Sequence, residues 1–278
     1  MKLYQFEDAS LFYQKVKDYL LEDEILHNLL LGVSNSLINN PDKYKIKPYL
    51  AAVEQNGNII AVAIMTIPYN LFLSQVKYLK AIDIIIQNLQ HKYELLTNVN
   101  APVLESQAFA EKWCSLTGKS YKLRTLRILK LEKVELFSQV KGNFRLATEN
   151  DKELLKFWHD AFCLEALGTI ESDSESWVER VLQKGTAYLW QDENPVSMAC
   201  SSRLTPNGAG ISMVYTPPEY RKQGFAGACV AALSQTLLDK GYKFCFLFTD
   251  LSNPTSNKIY QQIGYKPVAD WNNYSFSD

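Results

Sequence analysis

The chain has 278 residues, of which 47% are hydrophobic, and 29 Lys and Arg nearly balance 30 Asp and Glu to give a net charge of −1 at pH 7. This composition is typical of a globular protein and excludes a disordered, collagen-like or disulfide-stapled chain. A near-neutral charge provides no bulk field for a polyanion, so we expect no nucleic-acid partner.

The cysteines, the histidines and the amino-terminal residues point to an ordinary cytoplasmic protein. The five cysteines are odd in number and form no C-x-x-C pair, so we expect reduced, buried thiols. The three histidines show no paired spacing for a metal, and no metal site is predicted. The start M-K-L-Y-Q-F-E-D has acids where a signal peptide needs an apolar stretch, and every apolar run is far shorter than the about 18 residues that span a membrane.

The first half of the chain begins with a predicted helix over residues 8–21. A hairpin over residues 49–66 follows, because Asn56-Gly57 between two apolar runs is a strong hairpin signal. The pattern then predicts a strand at 70–74, a helix at 76–89, a strand at 94–99, a helix after Pro102 and a strand at 121–131.

The same order of elements recurs in the second half. A helix over residues 150–165, capped by Thr148 and Asp151, opens it. Strands at 186–191, 196–203 and 210–215, a helix from Gly224, a strand at 244–249 and a helix after Pro254 follow. The turn at Lys141-Gly142-Asn143 separates the halves. We therefore predict two tandem units, residues 1–136 and 143–278, of the α+β class, with an α/β mixed sheet in each.

The second unit contains the pattern of an anion-binding site. The strand ending at Tyr215 leads through a turn into a helix that starts with Gly224-Phe225-Ala226-Gly227. The N–H groups of a first helical turn have no partner inside the helix and carry partial positive charge. Small residues at that point let a phosphate approach the backbone. A diphosphate suits this helix start, although close packing of a helix on a sheet explains the glycines equally well.

Two linked motifs give this region a family resemblance. The chain has no G-x-x-x-x-G-K-[ST] sequence, and Met213 stands where a dinucleotide-binding pattern needs its third glycine. The region instead resembles the GCN5-related N-acetyltransferase (GNAT) family, whose acetyl-CoA signature is met by Arg221, Gly224 and Ala226. The stretch Asn253-Pro254-Thr255-Ser256-Asn257-Lys258-Ile259-Tyr260-Gln261-Gln262-Ile263-Gly264-Tyr265 resembles the second diagnostic stretch of that family.

The resemblance implies a mainly antiparallel, twisted sheet flanked by helices in each unit, with acetyl-CoA bound as acyl donor in the second. It implies that the pantetheine arm bonds the backbone of Met213, Val214 and Tyr215. It also implies that backbone N–H groups hold the diphosphate, with Arg221 as a counter-charge; these belong to Lys222, Gln223, Gly224, Phe225, Ala226 and Gly227.

The resemblance further implies that Tyr260 is the catalytic general acid, which protonates the leaving thiolate. A phenol with a pKa near about 10 stays protonated at neutral pH and can serve in this way. Asn257 lies three residues earlier on the same helix face, and the family implies a cofactor contact for it. Asn253 is a further candidate for cofactor binding. The other interpretations are a core aromatic for Tyr260 and a helix N-cap before Pro254 for Asn253.

A general base is not assigned, because the strand ending at Tyr215 has no Asp or Glu where some relatives place a carboxylate. Glu165, Glu171 and Asp173 precede the second unit's sheet and are the candidates. Each is better explained as a solvated surface acid.

The first unit resembles the fold but lacks the motifs. When Gly118 is aligned with Gly264, Cys114 stands opposite Tyr260 and Glu111 opposite Asn257. Residues 74–80 contain no glycine. We therefore predict one cofactor site per chain and a degenerate first unit, which supports the second or contributes a wall of the acceptor pocket.

These observations predict an N-acetyltransferase that transfers an acetyl group directly from acetyl-CoA to the amine of a small molecule or peptide. The alternative is a non-catalytic acyl-CoA-binding sensor or interaction module. The missing carboxylate favours the alternative, whereas the presence of both Tyr260 and Asn257 opposes it. A transferase acting on a charged tRNA is disfavoured, because the chain has no basic stripe.

Overall fold

The computed structural model describes residues 1–40, 46–66, 70–90, 96–135, 140–168 and 173–278. These residues form twelve strands and eight α-helices. The strands are β1 (Lys2–Phe6), β2 (Tyr49–Gln55), β3 (Asn58–Thr66), β4 (Asn70–Leu73), β5 (Asn98–Pro102), β6 (Ser120–Leu131), β7 (Asn143–Leu146), β8 (Ala187–Asp192), β9 (Asn194–Ser202), β10 (Gly208–Tyr215), β11 (Phe244–Asp250) and β12 (Lys266–Ser277). The helices are α1 (Ala9–Leu21), α2 (Asn28–Asn39), α3 (Lys80–Gln90), α4 (Val103–Thr117), α5 (Lys152–Leu167), α6 (Ser174–Gln183), α7 (Phe225–Asp239) and α8 (Pro254–Ile263).

The chain forms two compact units, and each unit consists of segments that are not continuous in sequence. Unit 1 comprises Met1–Leu129, Phe248–Asn253 and Pro267–Asp278, and unit 2 comprises Lys130–Leu247 and Pro254–Lys266. This division differs from units 1–136 and 143–278 chiefly because the carboxy-terminal strand lies with unit 1. There β12 pairs antiparallel with β5, from Trp271 opposite Pro102 to Ser275 opposite Asn98.

Unit 1 has the strand order β1-β2-β3-β4-β5-β12-β6, in which β4 and β5 are parallel. Successive side chains of a strand face opposite sides of a sheet. Accordingly, Leu50 of β2 packs with Phe12 of α1, whereas Ala51 packs with Ile85 of α3 and Phe109 of α4. Helices α1 and α2 therefore cover one face of this sheet, and α3 and α4 cover the other.

Unit 2 has the strand order β11-β10-β9-β8-β7, in which only β10 and β11 are parallel. Helices α5 and α6 supply Leu155, Trp158 and Val178 to a core cluster with Leu189 and Met198 of β8 and β9. Helix α7 packs against β8, β9 and β10. The predicted α+β class, with mixed and mainly antiparallel sheets flanked by helices, is confirmed.

Most predicted elements occur near their expected positions, and the local signals explain why. Asn56 (φ 52°) and Gly57 (φ 81°) both adopt the left-handed conformation that a tight hairpin turn requires. The capping box of Thr148 and Asp151 forms at the start of the second half's first helix. Helix α3 starts at Lys80 rather than at residue 76. The N–H groups of Val76 and Lys77 bond to Glu105 Oε1 and to the carbonyl of Ile60.

Other expectations are met only in part. Strand β5 starts at Asn98 rather than at residue 94, and residues 94 and 95 lie outside the described residues. Cys163, Cys200, Cys229 and Cys245 are buried as expected, and burial raises the pKa of the Cys200 and Cys245 thiols to about 12. Cys114 is only half-buried.

Within the described part of the chain, no helix combines the length and the apolar character needed to cross a membrane.

Candidate functional site

The parallel strands β10 and β11 pair over only three residues. Gly208 pairs with Phe244, Ala209 with Cys245 and Gly210 with Phe246, whereas β10 continues to Tyr215. Gly208 is required at this junction, because a Cβ there would collide with the ring of Phe244. The ladder between β10 and β11 therefore ends early, and the second half of β10 does not pair with β11.

The second half of β10 also departs from its other neighbour, β9. The register shifts between Ser212 and Tyr215, and Met213 has a φ of 52°. A bulge of this kind re-aims backbone groups and side chains next to binding sites. Met213 and Val214 are half-buried there, while the carbonyl of Tyr215 accepts a hydrogen bond from Ser197 Oγ at 3.1 Å.

The turn after β10 leads into the start of α7. Lys222 (φ 63°) and Gly224 (φ 88°) are both left-handed, and the first helical hydrogen bond runs from the Ala228 N–H to the Gly224 carbonyl at 3.0 Å. The N–H groups of Phe225, Ala226 and Gly227 therefore have no acceptor inside the helix. The phenyl ring of Phe225 is buried, so this residue can contact a ligand through its backbone N–H and not through its side chain.

This helix start fits a diphosphate-bearing group such as that of coenzyme A. Backbone N–H groups at a helix N-terminus are the donors that phosphate oxygens prefer. Gly224 cannot readily be replaced, because its φ is strained for other residues and a Cβ would lie 3.2 Å from Val140 Cγ2. Lys222 and Gln223 beside it are exposed, although the Gln223 amide donates to the carbonyl of Glu219 at 3.2 Å.

Arg221 is engaged with groups of the protein itself. Its Nε donates to the Thr216 carbonyl at 2.9 Å, and its Nη2 lies 2.6 Å from Glu165 Oε2 at the end of α5. The guanidinium carbon lies 5.9 Å from the centre of the Tyr215 ring. The structure therefore links Arg221 to a carboxylate as well as to the turn that precedes α7.

Helix α8, which packs against α7, carries Asn257 and Tyr260. The Tyr260 side chain is buried, with 8% exposure, and burial raises its pKa to about 12. Its ring lies 6.0 Å from that of Tyr265, whose hydroxyl is 2.9 Å from Ser234 Oγ on α7. Asn257 is half-buried on the same helix.

Asn253 immediately precedes helix α8. It is exposed, its N–H donates to the Asp250 carbonyl at 3.1 Å, and it belongs to the Phe248–Asn253 segment of unit 1. The remaining candidates all lie in unit 2.

The candidate bases differ in their surroundings. Asp173 caps α6 by accepting from the Ser176 N–H at 3.3 Å, and bonding to Ser176 lowers the pKa of its carboxyl. This makes Asp173 a helix cap and a poor base. Glu165 is paired with Arg221, and Glu171 lies outside the described residues.

A Cys–His pair on α5 was missed by the sequence analysis. Cys163 Sγ lies 3.8 Å from His159 Nε2, and both side chains are buried. His159 Nδ1 lies 3.2 Å from Asp160 Oδ1, and the imidazole packs against Trp177. The spacing of four residues on one helix was the signal that could have identified the pair.

In unit 1, the segment after β4 stands where unit 2 has the start of α7, and this segment contacts a carboxylate of the protein. Glu105, in the first turn of α4, is buried and accepts from the Val76 N–H at 2.9 Å, and burial raises the pKa of its carboxyl. The Val76 N–H is therefore already bonded to the carboxylate of Glu105. Cys114 and Glu111 on α4 stand where α8 has Tyr260 and Asn257 in the alignment, and the Glu111 carboxylate accepts from Gln107.

Comparison with known proteins identifies a family match to one segment and several solved structures of similar fold. Residues 191–275 match the FR47-like protein family. A GNAT-family acetyltransferase from Colwellia psychrerythraea is 13% identical, with full coverage of both chains and a TM-score of 0.61. A GCN5-related N-acetyltransferase from Sphaerobacter thermophilus is also 13% identical, covers 99% of this chain and 95% of its own, and has a TM-score of 0.66.

A third solved structure, a tandem GNAT protein from the clavulanic acid biosynthesis pathway, is 10% identical, covers both chains completely and has a TM-score of 0.54. No curated protein matches the sequence. The chain therefore has the tandem GCN5-related N-acetyltransferase fold, with an FR47-like segment in its second half.

Proposed function

We propose that the protein transfers an acetyl group from acetyl-CoA directly to the amine of a small molecule or peptide. The observation that carries this proposal is the early end of the β10–β11 ladder beside a glycine-started helix. The second half of β10, whose backbone does not pair with β11, would suit an extended amide-bearing arm, and the helix start would suit a diphosphate. The GNAT fold supports acetyl transfer in general.

The residues of unit 2 would divide the binding between them. The N–H groups of Lys222 to Gly227 would hold the diphosphate, and the backbone of Met213 to Tyr215 would bond the amides of the pantetheine arm. Asn257 would add a side-chain contact. When bound, acetyl-CoA supplies an activated acyl thioester, so no covalent intermediate with the protein is needed.

Tyr260 would supply the proton that the sulfur takes up when the C–S bond of the thioester breaks. A pKa of about 12 keeps its hydroxyl protonated at neutral pH. An ordinary thiol has a pKa of about 8.5, so transfer from this phenol is favourable only where the thiolate is also poorly solvated. The burial that raises the pKa of Tyr260 would have the same effect on a neighbouring thiolate.

The acceptor amine must lose a proton, and the described acids are weak candidates for this step. The carboxylate of Glu165 is already paired with the Arg221 guanidinium at 2.6 Å, so an amine would have to displace this ion pair to reach it. We propose that the amine reacts from its neutral form, so that the rate rises with pH until that form predominates. As the C–N bond forms and the C–S bond breaks, Tyr260 gives its proton to the sulfur, and the proton that the nitrogen then releases restores the Tyr260 hydroxyl, so that one amide and one thiol are formed with no proton left over.

Burial of Tyr260 favours a second candidate function, a module that binds acyl-CoA without transfer. The ring packs edge-on against Tyr265, as a core aromatic does. Such a module would use the helix start of α7 and would need no acid at Tyr260.

The test is release of free thiol from acetyl-CoA in the presence of primary alkylamines, α-amino acids or peptides with free N-termini. Amine-dependent release, with the acetylated amine found by mass spectrometry, supports transfer. Binding of coenzyme A without release across the panel supports the second function. Absence of both release and binding would contradict both functions.

A further inference from the structure

Ser197 of β9 is bonded to the end of β10. Its side chain is fully buried, and its Oγ lies 3.1 Å from the Tyr215 carbonyl and 2.9 Å from Thr216 Oγ1. A carbonyl oxygen can only accept, so the single hydrogen of the Ser197 hydroxyl goes to Tyr215. The Thr216 hydroxyl must therefore donate to Ser197 Oγ, and both bonds have a defined direction.

These bonds lie where β10 returns to regular pairing with β9. The register is interrupted between Ser212 and Tyr215, and it resumes with Tyr215 opposite Met198. Within the described chain, the two residues of the interrupted segment have no directly opposed residue on β9. The Ser197 side chain therefore fixes the point at which the irregular segment of β10 ends.

The bond from Ser197 also determines the direction of the last peptide group of β10. In a planar trans peptide, the carbonyl and the N–H of the next residue point in opposite directions. Ser197 holds the Tyr215 carbonyl on the side of β9, so the Thr216 N–H points to the other side of β10. That side of β10 pairs with β11 only over residues 208–210. The Thr216 N–H is therefore directed toward the edge of β10 that β11 leaves unpaired.

The Thr216 carbonyl extends this connection to the turn before α7. It accepts from Arg221 Nε at 2.9 Å. Three successive hydrogen bonds therefore join α7's preceding turn to β9: from Arg221 to Thr216, from Thr216 to Ser197, and from Ser197 to Tyr215. Support of this kind holds backbone groups in place before a ligand arrives and lowers the entropic cost of binding.

We propose that Ser197 is a positioning residue for coenzyme A, which orients the peptide group between Tyr215 and Thr216 toward the pantetheine arm. This inference rests on the proposed function, in which the arm bonds the backbone at the end of β10. Ser197 lies on the neighbouring strand and its side chain is buried, so it acts through β10 and not by contact with the ligand.

The first measurement needs no ligand. Hydrogen–deuterium exchange of residues 208–216 reports how firmly the end of β10 is held, because local opening exposes its N–H groups. S197A should accelerate this exchange about five-fold, as expected for the loss of one or two hydrogen bonds. The matched control is S234A, since Ser234 on α7 is also fully buried and bonds Val230 and Tyr265. S234A should leave the exchange of this segment unchanged.

The second measurement compares two probes by calorimetry. Coenzyme A carries the pantetheine arm, whereas adenosine 3′,5′-diphosphate has the nucleotide without the arm. S197A should weaken coenzyme A binding about three- to ten-fold and leave binding of the nucleotide within about two-fold of the wild type. S234A should change neither affinity.

Variants of Thr216 test the same bond from its other end. T216V removes the hydroxyl but keeps the branched shape, and it should weaken coenzyme A binding about two-fold. T216S keeps the hydroxyl and should bind like the wild type. Because the two side chains share one hydrogen bond, T216V should cause no further loss when it is added to S197A.

Equal exchange of residues 208–216 in S197A and the wild type would overturn the proposal, whether or not coenzyme A binds. Equal weakening of both probes in S197A, or equal coenzyme A affinity in T216V and T216S, would also overturn it. If the wild type binds no coenzyme A, the proposed function fails, whereas faster exchange in S197A still supports the positioning of β10 by Ser197.

Discussion

The guanidinium of Arg221 lies 2.6 Å from the carboxylate of Glu165, and this pair joins the end of α5 to the turn that leads into α7. The two side chains are 39% and 56% exposed. An ion pair with that exposure contributes only about 0 to 1 kcal/mol. A diphosphate bound at the start of α7 could therefore compete with Glu165 for Arg221.

Replacing Glu165 with Gln should strengthen coenzyme A binding about two- to five-fold. The substitution removes a negative charge beside the proposed diphosphate site and releases the guanidinium, a change of about 1 kcal/mol or less. Isothermal titration calorimetry measures the affinity. E153Q, an exposed position on the same helix, is the control and should have no effect. Weaker binding in E165Q would contradict this view of the pair.

Replacing Tyr260 with Phe should slow acetyl transfer about 100-fold or more, because the proton donor to the sulfur is lost. Coenzyme A affinity should stay the same, since the hydroxyl acts only when the acyl group leaves. Because the pKa of Tyr260 is about 12, the wild-type rate should show no loss of the acid below about pH 11. Thiol release measured against pH checks both expectations.

The control for this variant is Y265F. Its hydroxyl contacts Ser234 rather than the proposed site, so its loss should cost about 1 kcal/mol of folding stability and leave turnover unchanged. Equal turnover in Y260F and the wild type would refute the acid role of Tyr260 and favour binding without transfer.

One coenzyme A molecule should bind per chain. In unit 1 the Val76 N–H already bonds the Glu105 carboxylate, and residues 74–80 contain no glycine that would let a phosphate approach. Calorimetry should give a stoichiometry of one, and E105Q should not create a second site. A stoichiometry of two would contradict the assignment of unit 1 as degenerate.

Asp151 should make unit 2 sensitive to acid. Both of its carboxylate oxygens accept from Arg145, at 2.7 and 2.8 Å, and the Thr148 N–H donates to one of them. Arg145 is the main cause of the lowered pKa of Asp151. A lowered pKa means that the stabilisation is complete above the unfolded value of about 3.9 and is lost as the pH falls through the folded value.

The D151N variant should therefore lose about 1 to 3 kcal/mol of stability at pH 7, because Arg145 loses its charged partner. Urea unfolding at pH 7 and pH 3 measures this loss and should show a smaller difference between D151N and the wild type at pH 3. E149Q, an exposed neighbour, is the control. A constant difference at the two pH values would contradict the role of the carboxylate charge.

Much of the fold could be predicted because its signals are local. The Asn56-Gly57 turn and the Thr148 capping box each depend on residues within four positions of one another. The pairing of β12 with β5 was not predictable in this way. It joins Trp271 to Pro102, and the alternation of side chains along a strand does not identify its partner strand.

The same distinction between local signals and distant contacts applies to the candidate site. The helix start at Gly224 follows from small residues next to one another in sequence. The pairing of Arg221 with Glu165 and the burial of Tyr260 depend on which elements pack together, which the motifs do not contain.

The most direct test of the central claim is calorimetry of coenzyme A with G224A and G241A. Both glycines have a positive φ, at opposite ends of α7, so both substitutions strain the backbone. Only a Cβ at Gly224 meets a neighbour and lies at the proposed diphosphate site; at Gly241 nothing lies within 4 Å. Binding by the wild type and G241A, with affinity lowered about ten-fold or more in G224A, is the predicted result. Equal affinity in all three proteins, or no binding to the wild type, would contradict the account.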